Sequence, residues 1–188
     1  MRRLVIIGGG IAAQALLYEL CQSKAVDSFQ EILQLHSPQL APPASLSSTA
    51  LAALRGTRPG LSPLGDELCK AWELARERYQ RFSADAVLTL PLHNICFQER
   101  SAQRFAHLPP ATSPVPVKVS PLSVTSEHAY LIRPQALLRE MALHFAGRVR
   151  TQESFVKTLR RSGDGYAVHT LEHEIHANVV VLACGAWG

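Results

Sequence analysis

The 188-residue sequence predicts an α/β fold with a parallel sheet, and three features lead to that prediction. Leu4–Ile7 is a short apolar run of mostly β-branched residues, which is typical of a buried strand. Gly8–Gly10 interrupts this run, and a helical pattern without proline follows from Ile11 to about Ser23. A second apolar run, Glu31–Leu35, completes a strand–helix–strand unit whose two strands should be parallel.

Two further helices are predicted along the chain. Ser62 can cap a helix that begins at Pro63 and continues through a sequence with acidic residues in its first turn. Apolar residues recur along this helix at helical spacing, and we interpret the stripe as core packing: Leu68, Trp72, Ala75, Tyr79 and Phe82. The next helix begins at Pro134 and ends at Gly147.

Strands account for most of the remaining sequence. Residues 87–97 predict one or two strands, whereas the prolines of residues 107–124 predict an extended connection. The tail predicts several strands, with turns at Ser162–Gly165 and at about residues 172–174. Asn178–Ala183 is predicted as the last buried strand, so a hairpin or meander should accompany the parallel sheet.

Composition restricts the classes of function. The formal net charge is +4, and the basic residues are scattered, which suits an anionic ligand but does not favour nucleic acid. The four cysteines form no C-x-x-C pair, which is typical of a reducing compartment, and we expect a cytoplasmic protein. No apolar run reaches the roughly 18 residues of a membrane helix, so no membrane partner is expected.

No metal site is predicted. His169, His173 and His176 are close in sequence, but they lie in a segment that alternates like a hairpin, and no H-E-x-x-H helix is present. We expect exposed strand histidines there. Cys184 has no identifiable histidine or aspartate partner, so we interpret it as a packed residue and assign no catalytic residue.

The glycine turn carries the first functional hypothesis. Gly8, Gly10 and Ala13 occupy the three positions of a G-x-G-x-x-G/A dinucleotide fingerprint. The first permits a tight turn, the second allows a pyrophosphate to approach the backbone, and the third lets the helix pack closely on the strand. The helix N-terminus then offers N–H groups to the phosphates. The alternative is a glycine-rich turn that binds no ligand.

His36 differs from the fingerprint. An acidic residue normally follows the second strand and binds the ribose hydroxyls, whereas this sequence has His36 there. A neutral imidazole can hydrogen-bond one hydroxyl, but it cannot make the bidentate contact of a carboxylate. Either the ribose is held differently or nucleotide binding is weaker; a surface histidine without a ligand is the third interpretation.

The two ends of the chain together resemble a known family. The sequence is similar to the N-terminal half of D-amino-acid-oxidase-like, FAD-dependent oxidoreductases of the glycine and sarcosine oxidase type, and the similarity covers most of the chain. It depends on four stretches: VIIGGGIAAQALLYEL, PPASLSSTALAALRG, LIRPQALLREMALHFAGRVR, and SFVKTLRRSGDGYAVHT with ANVVVLACGAWG. In that family the last stretch ends in a turn that passes close to the FAD.

The resemblance implies a Rossmann-like FAD-binding domain and an incomplete second α+β segment of a substrate domain. The FAD-binding domain would comprise residues 1–84 and 148–188, and the partial substrate domain residues 85–147. The residues that would contact FAD are Gly8, Gly10, Ile11, Ala12, Ala13, His36, Ser45, Ser47, Ser48, Val156, Ala183, Cys184 and Gly185. The serines match a polar loop near the phosphates, and Val156 matches a position whose backbone meets the adenine.

The implied activity is oxidation of the C–N bond of a small amine or amino acid. Members of the family are about twice as long as this chain, so we expect a truncated chain or a partner chain that supplies the missing half. The alternatives are an inactive nucleotide-binding remnant or subunit, an NAD(P)-dependent Rossmann protein, and the tRNA-modifying version of the flavin fold. The stretch VVVLACGAWG argues against the NAD(P) alternative, because a simple NAD domain does not need it.

Overall fold

The computed structural model describes residues 2–37, 51–54, 57–112 and 115–185. The described strands are β1 (Arg3–Ile7), β2 (Glu31–His36), β3 (Leu51–Ala52), β4 (Val87–Cys96), β5 (Ser123–Ile132), β6 (Arg150–Glu153), β7 (Val156–Ser162), β8 (Gly165–Thr170), β9 (Glu174–Ala177) and β10 (Val179–Leu182). The described helices are α1 (Ile11–Gln22), α2 (Pro63–Tyr79), α3 (Glu99–Phe105) and α4 (Pro134–Phe145), with a short 3-10 helix at Ala25–Ser28.

The chain forms two compact units. The first unit comprises Met1–Thr49 and Pro134–Gly188, and the second comprises Ala50–Arg133. These boundaries differ from residues 84 and 148, where the sequence placed them. Helix α4 belongs to the first unit because His144 packs edge-on against Tyr18 of α1, with ring centroids 4.9 Å apart. The assignment of FAD binding to one unit and of substrate binding to the other stays a prediction.

A four-stranded parallel sheet forms the centre of the first unit. Its strand order is β10-β1-β2-β6, and every neighbouring pair is parallel. The order places β1, which precedes the glycine turn, between β10 and β2. The predicted strand–helix–strand unit and the predicted parallel sheet are therefore confirmed.

One face of the parallel sheet packs on an antiparallel sheet of order β7-β8-β9. The buried side chains of this contact are Val5, Ile7, Leu33, Leu35, Val168, Ile175 and Ala177. The alternate residues of the same strands, such as Leu4, Ile6 and Ile32, are also buried, so both faces of the sheet are covered. Each such side chain contributes about 1.5–3 kcal/mol when it leaves water, which explains the continuous apolar runs of β1 and β2.

The second unit contains an antiparallel sheet of order β3-β5-β4. Helix α2 packs on it through Trp72 and Tyr79, whose rings lie 5.7 and 5.0 Å from that of Tyr130 in β5. Ser62 caps α2 as predicted, since its Oγ accepts a hydrogen bond of 3.0 Å from the Gly65 N–H. Strand β5 and helix α3 were not predicted from the sequence. The second α+β segment is present, and the predicted fold class is confirmed.

The apolar stripe of α2 is only partly core. Phe82 is buried, and Trp72, Ala75 and Tyr79 are half-buried, but Leu68 is 47% exposed. The prediction of core packing is therefore wrong for Leu68. The aromatic contacts with Tyr130 involve only the middle and the C-terminal part of α2, so the first turns of the helix keep their apolar side chains in solvent.

Candidate functional site

The turn after β1 begins at Gly8, where the backbone leaves no room for a side chain. Gly8 has φ of +136°, a conformation that L-residues rarely adopt. A Cβ atom there would lie 2.6 Å from the carbonyl carbon of Ala183 and closer still to its oxygen. The Gly8 N–H donates a 2.7 Å hydrogen bond to the Leu35 carbonyl. Residue 8 must therefore be glycine because the backbone of Ala183 occupies the space of a side chain, whether or not a ligand binds.

Gly10 and Ala13 are placed as the fingerprint predicts. Gly10 is the N-cap of α1, with φ of −79° and ψ of −175°, and it offers no side chain to cap the helix. The first turn contains no acidic residue, so no carboxylate there would repel an anion. Ile11 and Ala12 are exposed at this end, whereas Ala13 is completely buried. A small third residue therefore lets α1 lie close to the sheet.

His36 lies beside the turn. A Cβ atom on Gly9 would come 3.1 Å from the Cβ of His36, so the two residues face each other at the carboxyl edge of the sheet. The His36 carbonyl accepts a 2.9 Å hydrogen bond from the Ser154 N–H. Strand β6 places Glu153 in register with His36. Residues paired in neighbouring parallel strands share a face of the sheet, so a carboxylate stands next to the position where the fingerprint lacks one.

The end of β10 meets the turn from the other side. The Ala183 N–H donates a 2.8 Å hydrogen bond to the Ile7 carbonyl, and the Cys184 Sγ donates to the same carbonyl at 3.3 Å. Cys184 also packs on the buried core of the first unit. Gly185 follows with φ of +62°, in the left-handed region that favours glycine. The two ends of the sequence thus meet at the glycine turn.

Four residues of the predicted set remain. Val156 begins β7, is half-buried and packs on the core between the two sheets. Ser45, Ser47 and Ser48 lie outside the described residues. The predicted cofactor contacts of these four residues, like those of the residues at the glycine turn, therefore stay predictions.

Gln34 is a residue of this site that the sequence analysis missed. It lies in β2 with only 1% of its surface exposed. Its Nε2 donates a 2.9 Å hydrogen bond to the Gly8 carbonyl. The signal in the sequence was a polar residue at an inward position of an otherwise apolar strand, but its partner could not be identified from the strand alone.

The histidines of the β8–β9 hairpin contact a carboxylate of the same hairpin. The Nδ1 of His169 lies 3.0 Å from one carboxylate oxygen of Glu174, and the Nε2 of His176 lies 3.1 Å from the other. Within the described ranges, no group of three or more histidine, cysteine, aspartate or glutamate residues is arranged to hold a metal ion. In the same part of the chain, no helix is both long and apolar enough to span a bilayer.

The fold of the chain is similar to that of several solved oxidases and of an amino acid deaminase. The whole chain superposes on 56% of glycine oxidase from Geobacillus kaustophilus, with a TM-score of 0.68 and 16% identity. It likewise superposes on 48% of L-amino acid deaminase from Proteus vulgaris, with a TM-score of 0.71 and 16% identity. The L-α-glycerophosphate oxidase of Mycoplasma pneumoniae, solved with FAD bound, matches 98% of the chain over 54% of its own length, with a TM-score of 0.67 and 14% identity.

These similarities establish the fold that the sequence resemblance implied. No family model matches the sequence, and no curated protein matches it. The chain spans about half the length of the solved structures that it resembles.

Proposed function

We propose that this chain is an incomplete FAD-dependent oxidoreductase of the D-amino-acid-oxidase family, which contains the FAD-binding part and acts on the C–N bond of an amine or amino acid. The observation that carries the proposal is the superposition of the entire chain on half of glycine oxidase and of L-amino acid deaminase. Iminodiacetate oxidase has the same fold and also acts on an amino compound.

The glycine turn fits the pyrophosphate of FAD. Gly10 presents backbone without a side chain at the N-terminus of α1, and Ile11 and Ala12 are exposed at the same end. An anion at this place is favoured by the helix dipole and by backbone N–H groups. The first turn holds no carboxylate that would oppose it. We therefore assign the phosphates to this turn.

The ribose would lie at the carboxyl ends of β2 and β6. His36 offers one ring nitrogen, and Glu153, in register with it, offers the carboxylate that the fingerprint normally carries on β2. Glu153 is exposed, so its oxygens are accessible to a ligand. The adenine would extend toward Val156, which follows β6 after two residues. The serines at 45, 47 and 48 complete the proposed set.

A bound flavin would supply the redox chemistry, namely two-electron oxidation of the carbon that bears the amine. The part assigned to this chain is to hold and orient the cofactor. Ala183, Cys184 and Gly185 would lie beside it, because they pass next to the turn that binds the phosphates. We assign no catalytic residue in this chain.

The proposed partner of this chain is whatever supplies the half of the solved structures that the chain does not match. The solved structures contain about as many residues outside the match as within it, and we propose that equivalent residues, or a partner chain, complete the substrate site. Exposed leucines in the second unit, such as Leu64 at 70% and Leu88 at 38%, favour a covering surface there. Of residues 85–147, which the sequence assigned to the substrate domain, we propose that role for residues 85–133, which lie in the second unit. All four cysteines are free thiols, which favours a cytoplasmic location.

The deciding experiment is FAD uptake by the purified chain. The protein is mixed with excess FAD, passed through gel filtration, and examined for flavin absorption in the protein fraction. NADH is titrated in parallel as the control ligand. Retained flavin with no NADH binding supports the proposal. Tight NADH binding without flavin uptake, or no uptake of flavin at saturating concentration, contradicts it.

A second candidate is a nucleotide-binding subunit that has no activity of its own. His36 at the acidic position favours it, because the ribose contact of the fingerprint is altered. This candidate predicts that the chain retains flavin, or a nucleotide, but does not reduce a dye acceptor with any amine or amino acid. Reduction of the dye by the chain alone would exclude it.

A further inference from the structure

Gln34 is the most deeply buried polar side chain of the parallel sheet. Its neighbours Leu33 and Leu35 face the core between the two sheets, so Gln34 faces the opposite, helix-bearing side. There it lies in register with Ile6 on one side and Thr151 on the other. Burial of an amide costs free energy unless the amide is hydrogen-bonded. The partners of Gln34 therefore indicate why a polar residue occupies this position.

The main partner of Gln34 is the first residue of the glycine turn. The Nε2 donates to the Gly8 carbonyl over 2.9 Å, while the Gly8 N–H donates to the Leu35 carbonyl over 2.7 Å. Strand β2 thus holds both polar groups of Gly8, one by its backbone and one by a side chain. The backbone hydrogen bond from the Gly8 N–H does not by itself fix the direction of the Gly8 carbonyl, so the Gln34 side chain supplies the contact from β2 that does.

Two weaker contacts orient the amide of Gln34. Its Oε1 lies 3.5 Å from the Nε2 of Gln14 in α1 and 3.5 Å from the Oγ1 of Thr151 in β6. Because both neighbours place donors on the oxygen side, the amide nitrogen is directed to Gly8. The cluster connects β2, β6, α1 and the turn at the carboxyl edge of the sheet.

We infer that Gln34 is a positioning residue, which fixes the Gly8–Gly9 peptide and so sets the turn in the shape that receives the cofactor phosphates. No described peptide bond is cis, and in a trans peptide the C=O and the N–H point in opposite directions. Holding the Gly8 carbonyl toward Gln34 therefore directs the Gly9 N–H away from it. The role in cofactor binding rests on the proposed function, whereas the role in the turn does not.

The test compares a substitution that removes the Gln34 amide with one that removes a neighbour of that amide. Gln34→Met keeps an unbranched side chain of similar size but removes the donor to Gly8. Thr151→Val keeps the shape of Thr151 and removes only the weak contact to the Gln34 oxygen. Three quantities are measured for both variants and the wild type: the urea unfolding midpoint, amide exchange by NMR, and the FAD dissociation constant by quenching of flavin fluorescence.

Amide exchange reports on the turn without cofactor. The Gly8 N–H and the Gln14 N–H, which donates to the Gly10 carbonyl, lie at the two ends of the turn. The Ser23 N–H, bonded to the Glu19 carbonyl at the far end of α1, is the internal reference. In Gln34→Met we expect at least about tenfold faster exchange at Gly8 and Gln14 relative to Ser23, and at least about tenfold weaker FAD binding. Thr151→Val should change both by less than about threefold.

Two results would overturn the inference. One is a Gln34→Met variant whose exchange rises equally at Gly8, Gln14 and Ser23, which would indicate a general loss of stability. The other is exchange and FAD affinity equal to those of Thr151→Val. If the wild type binds no FAD, the proposed function fails, while the exchange comparison still decides whether Gln34 holds the turn.

Discussion

Replacement of Gly8 by alanine is expected to destabilise the first unit strongly, even in the absence of any cofactor. The added methyl group would lie 2.6 Å from the Ala183 carbonyl carbon and 3.2 Å from the Cys184 nitrogen. Both are backbone atoms of a chain that is bonded to β1 through the Ala183 N–H and the Ile7 carbonyl. A side-chain neighbour could rotate away, but a paired backbone can yield only if β10 separates from β1.

Two costs add in Gly8→Ala. Alanine at φ of +136° carries backbone strain of about 1–3 kcal/mol. Forcing a methyl group into a packed site costs about 1–3 kcal/mol more. We therefore expect the free energy of unfolding to fall by about 2–6 kcal/mol, out of a typical total of about 5–15 kcal/mol.

Urea unfolding followed by far-ultraviolet circular dichroism measures this change. Gly147→Ala is the matched control, because Gly147 also has positive φ, of +81°, but a Cβ atom there meets nothing within 4 Å. In the control, the free energy of unfolding should fall only by the backbone strain, about 1–2 kcal/mol. A Gly8→Ala variant that loses no more than Gly147→Ala would refute the argument that β10 excludes a side chain at Gly8.

Two other predictions concern single side chains. Glu153→Gln should weaken FAD binding about five- to tenfold with an unchanged urea midpoint. Glu172→Gln, an exposed control, should change neither the FAD affinity nor the urea midpoint, and equal FAD affinities in the two variants would remove Glu153 from the ribose site. Burial, with a smaller effect of Tyr130, raises the pKa of the Tyr79 phenol, so the folded state binds the phenol proton more tightly than the unfolded state does. The free energy of unfolding that this proton contributes is lost as pH rises through the raised pKa. Tyr79→Phe should therefore lose less stability than the wild type between about pH 8 and about pH 11, and an equal loss in both proteins would contradict this.

Local sequence patterns predicted the elements that depend on near neighbours. The apolar run of β1, the proline-free helical pattern of α1 and the Ser62 cap of α2 are each decided within a few residues, and the structure confirms them. Strand β5 was missed because its sequence alternates imperfectly and its ten residues are held by pairing with residues of β4 that lie 27 to 45 positions earlier. Such pairing cannot be recognised from one segment alone.

The candidate site likewise combines features that local sequence decides with features that contacts between distant segments decide. The sequence by itself determined that a glycine turn joins a buried strand to a helix, because turn chemistry and periodicity are local properties. Only the tertiary structure decided why Gly8 must be glycine, since the obstructing atoms belong to Ala183 at the other end of the chain. It also decided that Gln34 holds the Gly8 carbonyl and that Glu153 stands beside His36, because strand register, which no local pattern specifies, sets both neighbours.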